Sequence, residues 1–330
     1  MLISKLDNIF IAGHKGLLGK ALLKNFKLNN YENLFTCDRS ELDLFDYDKT
    51  KDYLYKNNIN VVILAAAKVG GIRANINFPS EYLLENIKIQ NNVIESAWRK
   101  GIKRLLFIGS SCIYPKYAKQ PIKEEELLSG YLESSLEPYA LAKISGIKLC
   151  EALRHQYGFD AICLMPSNMY GPGDNFDDNN SHVLASLIRR FHEAKIKNKN
   201  KVVCWGSGNV YREFLFSEDC ADACRVSLEN WDPNSKNEFS MIKQNKLIYL
   251  NVGTGKDLTI RDLAIIIAKE VGYQGKIVWD TDSPDGTPRK LLDINRIKSL
   301  GWNPNTSLEE GISITYKEFL KAYANNSARL

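Results

Sequence analysis

No stretch of this sequence is apolar for long enough to cross a bilayer, a task that takes about 18–20 consecutive apolar residues. The short apolar run near the N-terminus leads straight into a glycine motif and is expected to be a first strand, not a signal peptide. Histidine is scarce, with four in 330 residues, and none lies near enough to Cys220 and Cys224 to complete a zinc module, so no metal is expected. The seven cysteines (Cys37, Cys112, Cys150, Cys163, Cys204, Cys220 and Cys224) are odd in number and scattered. That pattern argues against a disulfide framework and for a reduced, intracellular chain, expected in the cytoplasm. Charge of one sign is lacking too: 44 Lys and Arg against 39 Asp and Glu leave a net +5, too little to argue for nucleic acid or a membrane surface. Internal repeats and low-complexity tracts are absent.

A hydrophobic share of 44% and a charged share of 25% allow a sizeable core. The segments NIFIAG (8–13), VVILAAA (61–67), RLLFIGS (104–110) and DAICLMP (160–166) are near-continuously apolar, as strands buried on both faces are. Amphipathic stretches at Leu17–Phe26 and Glu81–Lys100 separate them. Alternation of this kind predicts an α/β fold, a Rossmann-type doubly wound parallel sheet. We divide the chain into a dinucleotide-binding domain at 1–170 and a smaller α/β substrate-binding lobe at 171–330 that interleaves with the core. A helix is expected at about Val183–Lys195, a surface loop over 230–246, and fraying in the last residues, NNSARL.

The sequence Gly13-His14-Lys15-Gly16-Leu17-Leu18-Gly19 follows the first strand and opens a helix. Two glycines permit a tight turn with backbone N–H groups facing a pyrophosphate, and the third permits close helix–sheet packing. Near the end of the second strand stand Asp38, which suits a ribose hydroxyl, and Arg39, which suits a 2′-phosphate. The pair leans toward NADPH/NADP+ as cofactor. Tyr139 and Lys143 are four residues apart and share one helix face. There the ammonium is expected to lower the phenol pKa and ready Tyr139 to pass a proton to a carbonyl while the nicotinamide supplies hydride. Ser110, at the C-terminal end of a strand, either orients that carbonyl or caps the next turn. Cys112 and His182 each read first as packing or capping residues, yet together they offer the two groups needed to invert a carbon beside a ketone.

Four segments then carry a specific resemblance: GSSCIYPKYAKQPI (109–122), EPYALAKISGIKLCE (137–151), NSHVLASLIRRFHEA (180–194) and SPDGTPRKLLD (283–293). With AAAKVGGI (65–72) and VVCWGSG (202–208), they resemble the GDP-L-fucose synthase family of the extended short-chain dehydrogenases. The resemblance implies NADPH-dependent 3,5-epimerisation and 4-reduction of a GDP-linked 4-keto-6-deoxy sugar, in a homodimer. It implies Ser110, Tyr139 and Lys143 as the reductase triad and Cys112 with His182 as the epimerase acid/base pair. Cofactor contacts are implied at the glycine motif, Arg39, Ala65, Ala66, Ile108, Gly109 and His182, and at Pro166, Ser167, Asn168 and Met169. Substrate contacts are implied at Ser111, Asn168, Arg190, Trp205, Arg212, Asp285 and Lys290.

Some positions depart from the family pattern: Arg73 where an apolar residue is usual, Ala185-Ser186, Asn209-Val210-Tyr211, and Phe216-Ser217-Glu218. They surround the expected sugar pocket. The sugar is thus open between a hexose and a heptose, and the chain between epimerase/reductase and 4-reductase only. A 4,6-dehydratase is disfavoured because Cys112-Ile113 stands where an acidic pair is needed. A non-catalytic NADP-binding sensor is disfavoured because Tyr139 and Lys143 are both present.

Overall fold

The computed structural model describes residues 2–330 except 179, 236–240, 243–244, 284 and 326. The first half forms strands β1 (Ile9–Ala12), β2 (Leu34–Phe35), β3 (Val61–Leu64), β4 (Arg104–Ile108) and β5 (Ala161–Pro166). Helices α1 (Leu17–Leu28), α2 (Tyr47–Lys56), α3 (Ile72–Asn77), α4 (Pro79–Lys100) and α5 (Glu137–Tyr157) run between them. Every residue of β1, β3, β4 and β5 is buried, because helices cover both faces of the sheet. The ends of α4 follow local chemistry. Pro79 opens the helix, where its missing N–H costs nothing, and Gly101 closes it in the left-handed conformation (φ 69°).

The second half adds β6 (Asn168–Tyr170), α6 (Val183–Ile196), β7 (Lys201–Trp205), β8 (Tyr211–Phe216) and α7 (Ser217–Asn230). After these come β9 (Met241–Ile242), β10 (Asn245–Lys246), β11 (Tyr249–Val252) and β12 (Asp257–Thr259). The chain ends with α8 (Ile260–Val271), β13 (Lys276–Asp280), β14 (Arg289–Lys290), α9 (Asn295–Ser299) and α10 (Leu308–Ala324). β11 returns to the main sheet, whose six parallel strands run β2-β1-β3-β4-β5-β11. This is the Rossmann-type doubly wound architecture. The strand order reverses between β1 and β3, and such a switch point opens a crevice at the carboxyl ends of the strands.

In the lobe, β8 pairs with β6, β12 and β14, and β7 pairs in parallel with β13. A second core forms around Leu184, Ile188, Phe191, Leu263, Ile267 and Phe319. β7 alternates: Val202 and Cys204 face that core, whereas Val203 and Trp205 are exposed. No helix among the described residues is long and apolar enough to cross a membrane.

Two expectations change. The stretch 230–246 contains the antiparallel pair β9–β10 in addition to loop, and its residues 236–240 and 243–244 lie outside the described ones. The C-terminal residues do not simply fray. Ser327 and Ala328 donate to Ala322 O, and Arg329 O accepts from Phe176 N at 2.8 Å, which pins the tail to the loop before α6. Asn326 lies outside the described residues.

Candidate active site

A cleft of about 1250 Å³ runs from the switch point of the sheet to the lobe, and every residue expected to serve catalysis, cofactor or substrate lines it; of the positions that depart from the family pattern, Arg73, Ser186 and Val210 line it, whereas Ala185, Asn209, Tyr211, Phe216, Ser217 and Glu218 do not. At its sheet end the turn after β1 holds Gly13 at φ +90°. A Cβ there would lie 2.7 Å from Ala66 N, and one on Gly19 would lie 2.1 Å from Gly13 O, so neither position accepts a side chain. Gly16, the N-cap of α1, has no side-chain cap, which leaves the first N–H groups of the helix to face the cleft. His14, Lys15, Leu17 and Leu18 line the same end, opposite Ala65 and Ala66.

β2 ends at Phe35, so Asp38 and Arg39 lie in the loop beyond it, not on the strand. Lys15 donates to Asp38 at 2.6 Å and His14 lies 3.2 Å from it. The Lys15 hydrogen bond, first among the causes, holds the carboxyl below its ordinary range. Asp38 is therefore engaged by Lys15 and His14, while Arg39 is exposed, 3.8 Å from Asp43 and 5.0 Å over the Phe45 ring. That division suits a phosphate at Arg39 more than a bare ribose diol at Asp38. Further in, Pro166, Ser167, Asn168 and Met169 follow β5. Ser167 Oγ is buried with no hydrogen-bond partner among the described residues, and Asn168 Nδ2 donates to Glu213 O at 2.8 Å. The glycine cradle, the open helix terminus and the orphaned Ser167 hydroxyl together fit a dinucleotide.

The centre of the cleft is built on the end of β4 and the first turns of α5. Ser110 caps the short 3-10 turn Ser111–Ile113 by accepting from Cys112 N at 3.2 Å, so the capping role is real. Its hydroxyl also lies near enough to Tyr139 to favour the phenolate. Tyr139 and Lys143 share a face of α5, with the ammonium 5.9 Å from the phenol ring centre. The electrostatics differ from expectation. Burial pushes the Tyr139 phenol up, Cys112 adds to the rise, and the Ser110 hydroxyl only partly opposes it. Burial also pushes the Lys143 proton down to about 7, and its Nζ donates to Ile108 O at 2.8 Å. The lysine therefore does not acidify the phenol in the free protein; both groups are dominated by desolvation.

Ser111 is buried beneath this turn, and Gly109 sits over Met165. Cys112 faces Lys290, whose Nζ lies 3.6 Å from its sulfur. His182 occupies the N-cap position of α6 without a side-chain cap and is exposed to the cleft, and desolvation by the surrounding protein lowers its pKa. Among the residues assigned to substrate, Asp285 is already occupied. Its carboxylate accepts from Ser207 N and Ser207 Oγ, both at 2.8 Å, and its carbonyl accepts from Arg212 at 3.2 Å. Arg190 donates to Val203 O, and Trp205 stands at the end of β7 beneath Arg73, whose guanidinium is 4.5 Å from the ring centre.

Sequence reasoning missed two carboxyls. Glu213 is fully buried and accepts from Thr254 N (2.6 Å), Gly255 N (2.7 Å) and Leu292 N (3.0 Å). It ties β8 to the turn after β11 and to the segment after β14, and so braces Arg212 and Lys290. Asp174 lines the cleft with one oxygen unpartnered among the described residues, and burial pushes it up to about 7. The only sequence signal for Glu213 was its place beside Arg212, and Asp174 had none beyond the polar loop.

This combination of switch-point cleft, glycine turn and Tyr/Lys helix defines a dinucleotide-dependent oxidoreductase class. Residues 9–241 match the NAD dependent epimerase/dehydratase family, and the chain belongs to that family. Within it, the chain is 49% identical over 319 residues to the GDP-L-fucose synthase of Escherichia coli strain K12, covering 96% of this chain and 97% of that protein. Among solved structures it is similar to a GDP-6-OMe-4-keto-L-xylo-heptose reductase from Campylobacter jejuni, with TM-score 0.90, 34% identity, and coverage of 97% and 99%. It is also similar to a GDP-mannoheptose C4 reductase of the same organism with NADP bound, with TM-score 0.85, 34% identity, and coverage of 96% and 99%.

Proposed function

We propose that this chain is an NADPH-dependent epimerase/reductase of a GDP-linked 4-keto-6-deoxy sugar, of the GDP-L-fucose synthase type. One observation carries the reading: Tyr139 and Lys143 line the same cleft as Cys112 and His182. Reduction and inversion can then act on one bound sugar. Gly13, Gly16, Gly19 and Arg39 hold the dinucleotide, with Ala65, Ala66, Ile108, Gly109 and the 166–169 segment along its length. When bound, NADPH supplies hydride to C4. Tyr139, kept protonated by its burial, gives its proton to the C4 oxygen, Ser110 orients that oxygen, and the Lys143 ammonium offsets the charge left on Tyr139. Before reduction, Cys112 and His182 serve the carbons flanking the ketone. One removes a proton and the other returns one from the opposite face.

The heptose reading has weaker support. The heptose reductases are 34% identical, against 49% for the Escherichia coli hexose enzyme, and Cys112 and His182 are both present here. We further propose a homodimer through the packed pair α4 and α5, which leave Leu84, Leu141 and Tyr157 exposed. The seven free cysteines suit a reducing cytoplasm.

The test is NADPH oxidation on adding GDP-4-keto-6-deoxymannose, with near-complete loss in Tyr139→Phe. A fully active Tyr139→Phe would refute the assignment. Incubation in D₂O without NADPH should place deuterium at C3 and C5; its absence there would reduce the protein to a 4-reductase.

A further inference from the structure

The substrate side of the cleft carries four cations, Arg73, Arg190, Arg212 and Lys290, and none of them has a carboxylate ion-pair partner among the described residues. The nearby carboxylates are already in use: Glu133 pairs with Lys116 at 3.0 Å, and Asp285 holds Ser207. Uncompensated positive charge in a cleft favours an anionic occupant. Three of the four cations carry other contacts. Arg212 donates to Tyr211 O and Asp285 O, Arg190 to Val203 O, and Lys290 to Cys112. Arg73 alone makes no hydrogen bond or ion pair among the described residues and rests on the face of Trp205. Its planar donors are therefore available.

Two of the three guanidinia meet one short segment directly, and the third is linked to it through Asp285. Arg190 reaches the carbonyl of Val203, Arg73 covers Trp205, and Arg212 binds the carbonyl of Asp285, whose carboxylate clamps Ser207. Arg190 and Arg73 approach the end of β7 from α6 and α3, and Arg212 on β8 reaches Asp285, the residue that holds Ser207 just beyond it. Two of these elements belong to the lobe and one, α3, follows the main sheet. A group bound there would be held from both sides of the cleft.

We propose that Arg73 is a diphosphate-binding residue that closes this cluster, stacked on Trp205 in the free protein and turned onto the diphosphate of the nucleotide sugar when it binds. The inference rests on the nucleotide-sugar reading above and names a residue which that reading does not use. A guanidinium suits the task because its paired N–H groups match two phosphate oxygens, and because it leaves an aromatic face at little desolvation cost.

The experiment compares GDP with GMP on the NADP+-loaded protein by calorimetry, in wild type, Arg73→Met and Arg73→Lys. Arg73→Met should weaken GDP by about tenfold, the scale of one charge-assisted contact. GMP should change by less than about threefold and NADP+ should not change, while Arg73→Lys recovers part of the GDP loss. Equal weakening of GDP and GMP, loss of NADP+ affinity by the same factor, or no change in any ligand overturns the proposal. Should wild type prefer UDP to GDP, the guanosine part of the functional reading fails, and the UDP/UMP comparison still decides on Arg73. A wild type that binds neither diphosphate overturns both.

Discussion

Lys143 donates from Nζ to the carbonyl oxygen of Ile108, the last residue of β4, across 2.8 Å. The bond fixes the ammonium at the seam between helix α5 and the sheet, where burial brings its proton down to about 7. The cation is thus present below that pH and lost as pH rises through it. NADP+ binding to wild type should weaken between about pH 6 and 8.5 as this charge is lost. Lys143→Met should bind more weakly at the acid end and show a flatter profile, with kcat down by roughly 10²–10⁴. A variant profile as steep as that of wild type would assign the pH dependence elsewhere.

Arg39 is an exposed cation at the sheet end of the cleft whose ion pair is long, 3.8 Å to Asp43, and Asp38 beside it is held by Lys15 and His14. Arg39→Ala should raise the KM for NADPH by about tenfold or more and leave that for NADH within about threefold. Steady-state kinetics with both cofactors measures this. An equal rise for both would mean that Arg39 serves the loop and not the 2′-phosphate.

Glu213 accepts three backbone N–H groups from segments 40 to 80 residues away in sequence. Removing the carboxylate in Glu213→Ala leaves these buried donors unpaired at roughly 1–3 kcal/mol each. A fall in Tm of roughly 5–10 °C is expected, with Glu213→Gln intermediate because its amide still offers one acceptor. A Tm for Glu213→Ala within about 1 °C of wild type would show that the three donors find other partners.

Asp174 gives a pH-dependent stability whose sign is fixed by its environment. Its folded pKa stands at about 7, above the ordinary 3.8. Between those values the folded chain holds a proton that the unfolded chain has released, so this residue's contribution to stability falls as pH rises and is gone above about 7. Glu213 shifts in the same direction, and His182 and His192 oppose it. Subtracting wild type from Asp174→Asn cancels those three. The Tm of the variant relative to wild type should be higher at pH 8 than at pH 5. The same difference at both pH values would show that Asp174 is ionised in the fold throughout.

The Tyr139 and Lys143 pair was legible in the sequence because an i, i+4 spacing is a property of one helix. The glycine turn was legible for the same reason: its geometry is written within seven residues. The parallel strands announced themselves as unbroken apolar runs. Glu213 could not be found that way, since its partners are main-chain groups of two remote segments and carry no side-chain signature. Asp285 and Lys290 were placed in the cleft by resemblance, but only coordinates reveal that Asp285 spends its carboxylate on Ser207 and that Lys290 reaches Cys112. The direction expected for the Tyr139 phenol is reversed because spacing says nothing of burial, and desolvation pushes the buried group up.

The return of β11 to pair with β5 has a consequence for how the molecule comes apart. A chain cut after residue 170 would leave the outer edge of β5 with unmatched main-chain groups and would strip α7 from the face of α1. The two halves are therefore stitched into one cooperative unit, and heating should melt them together. NADP+ added to the sheet end should protect the lobe from proteolysis as strongly as it protects the glycine turn.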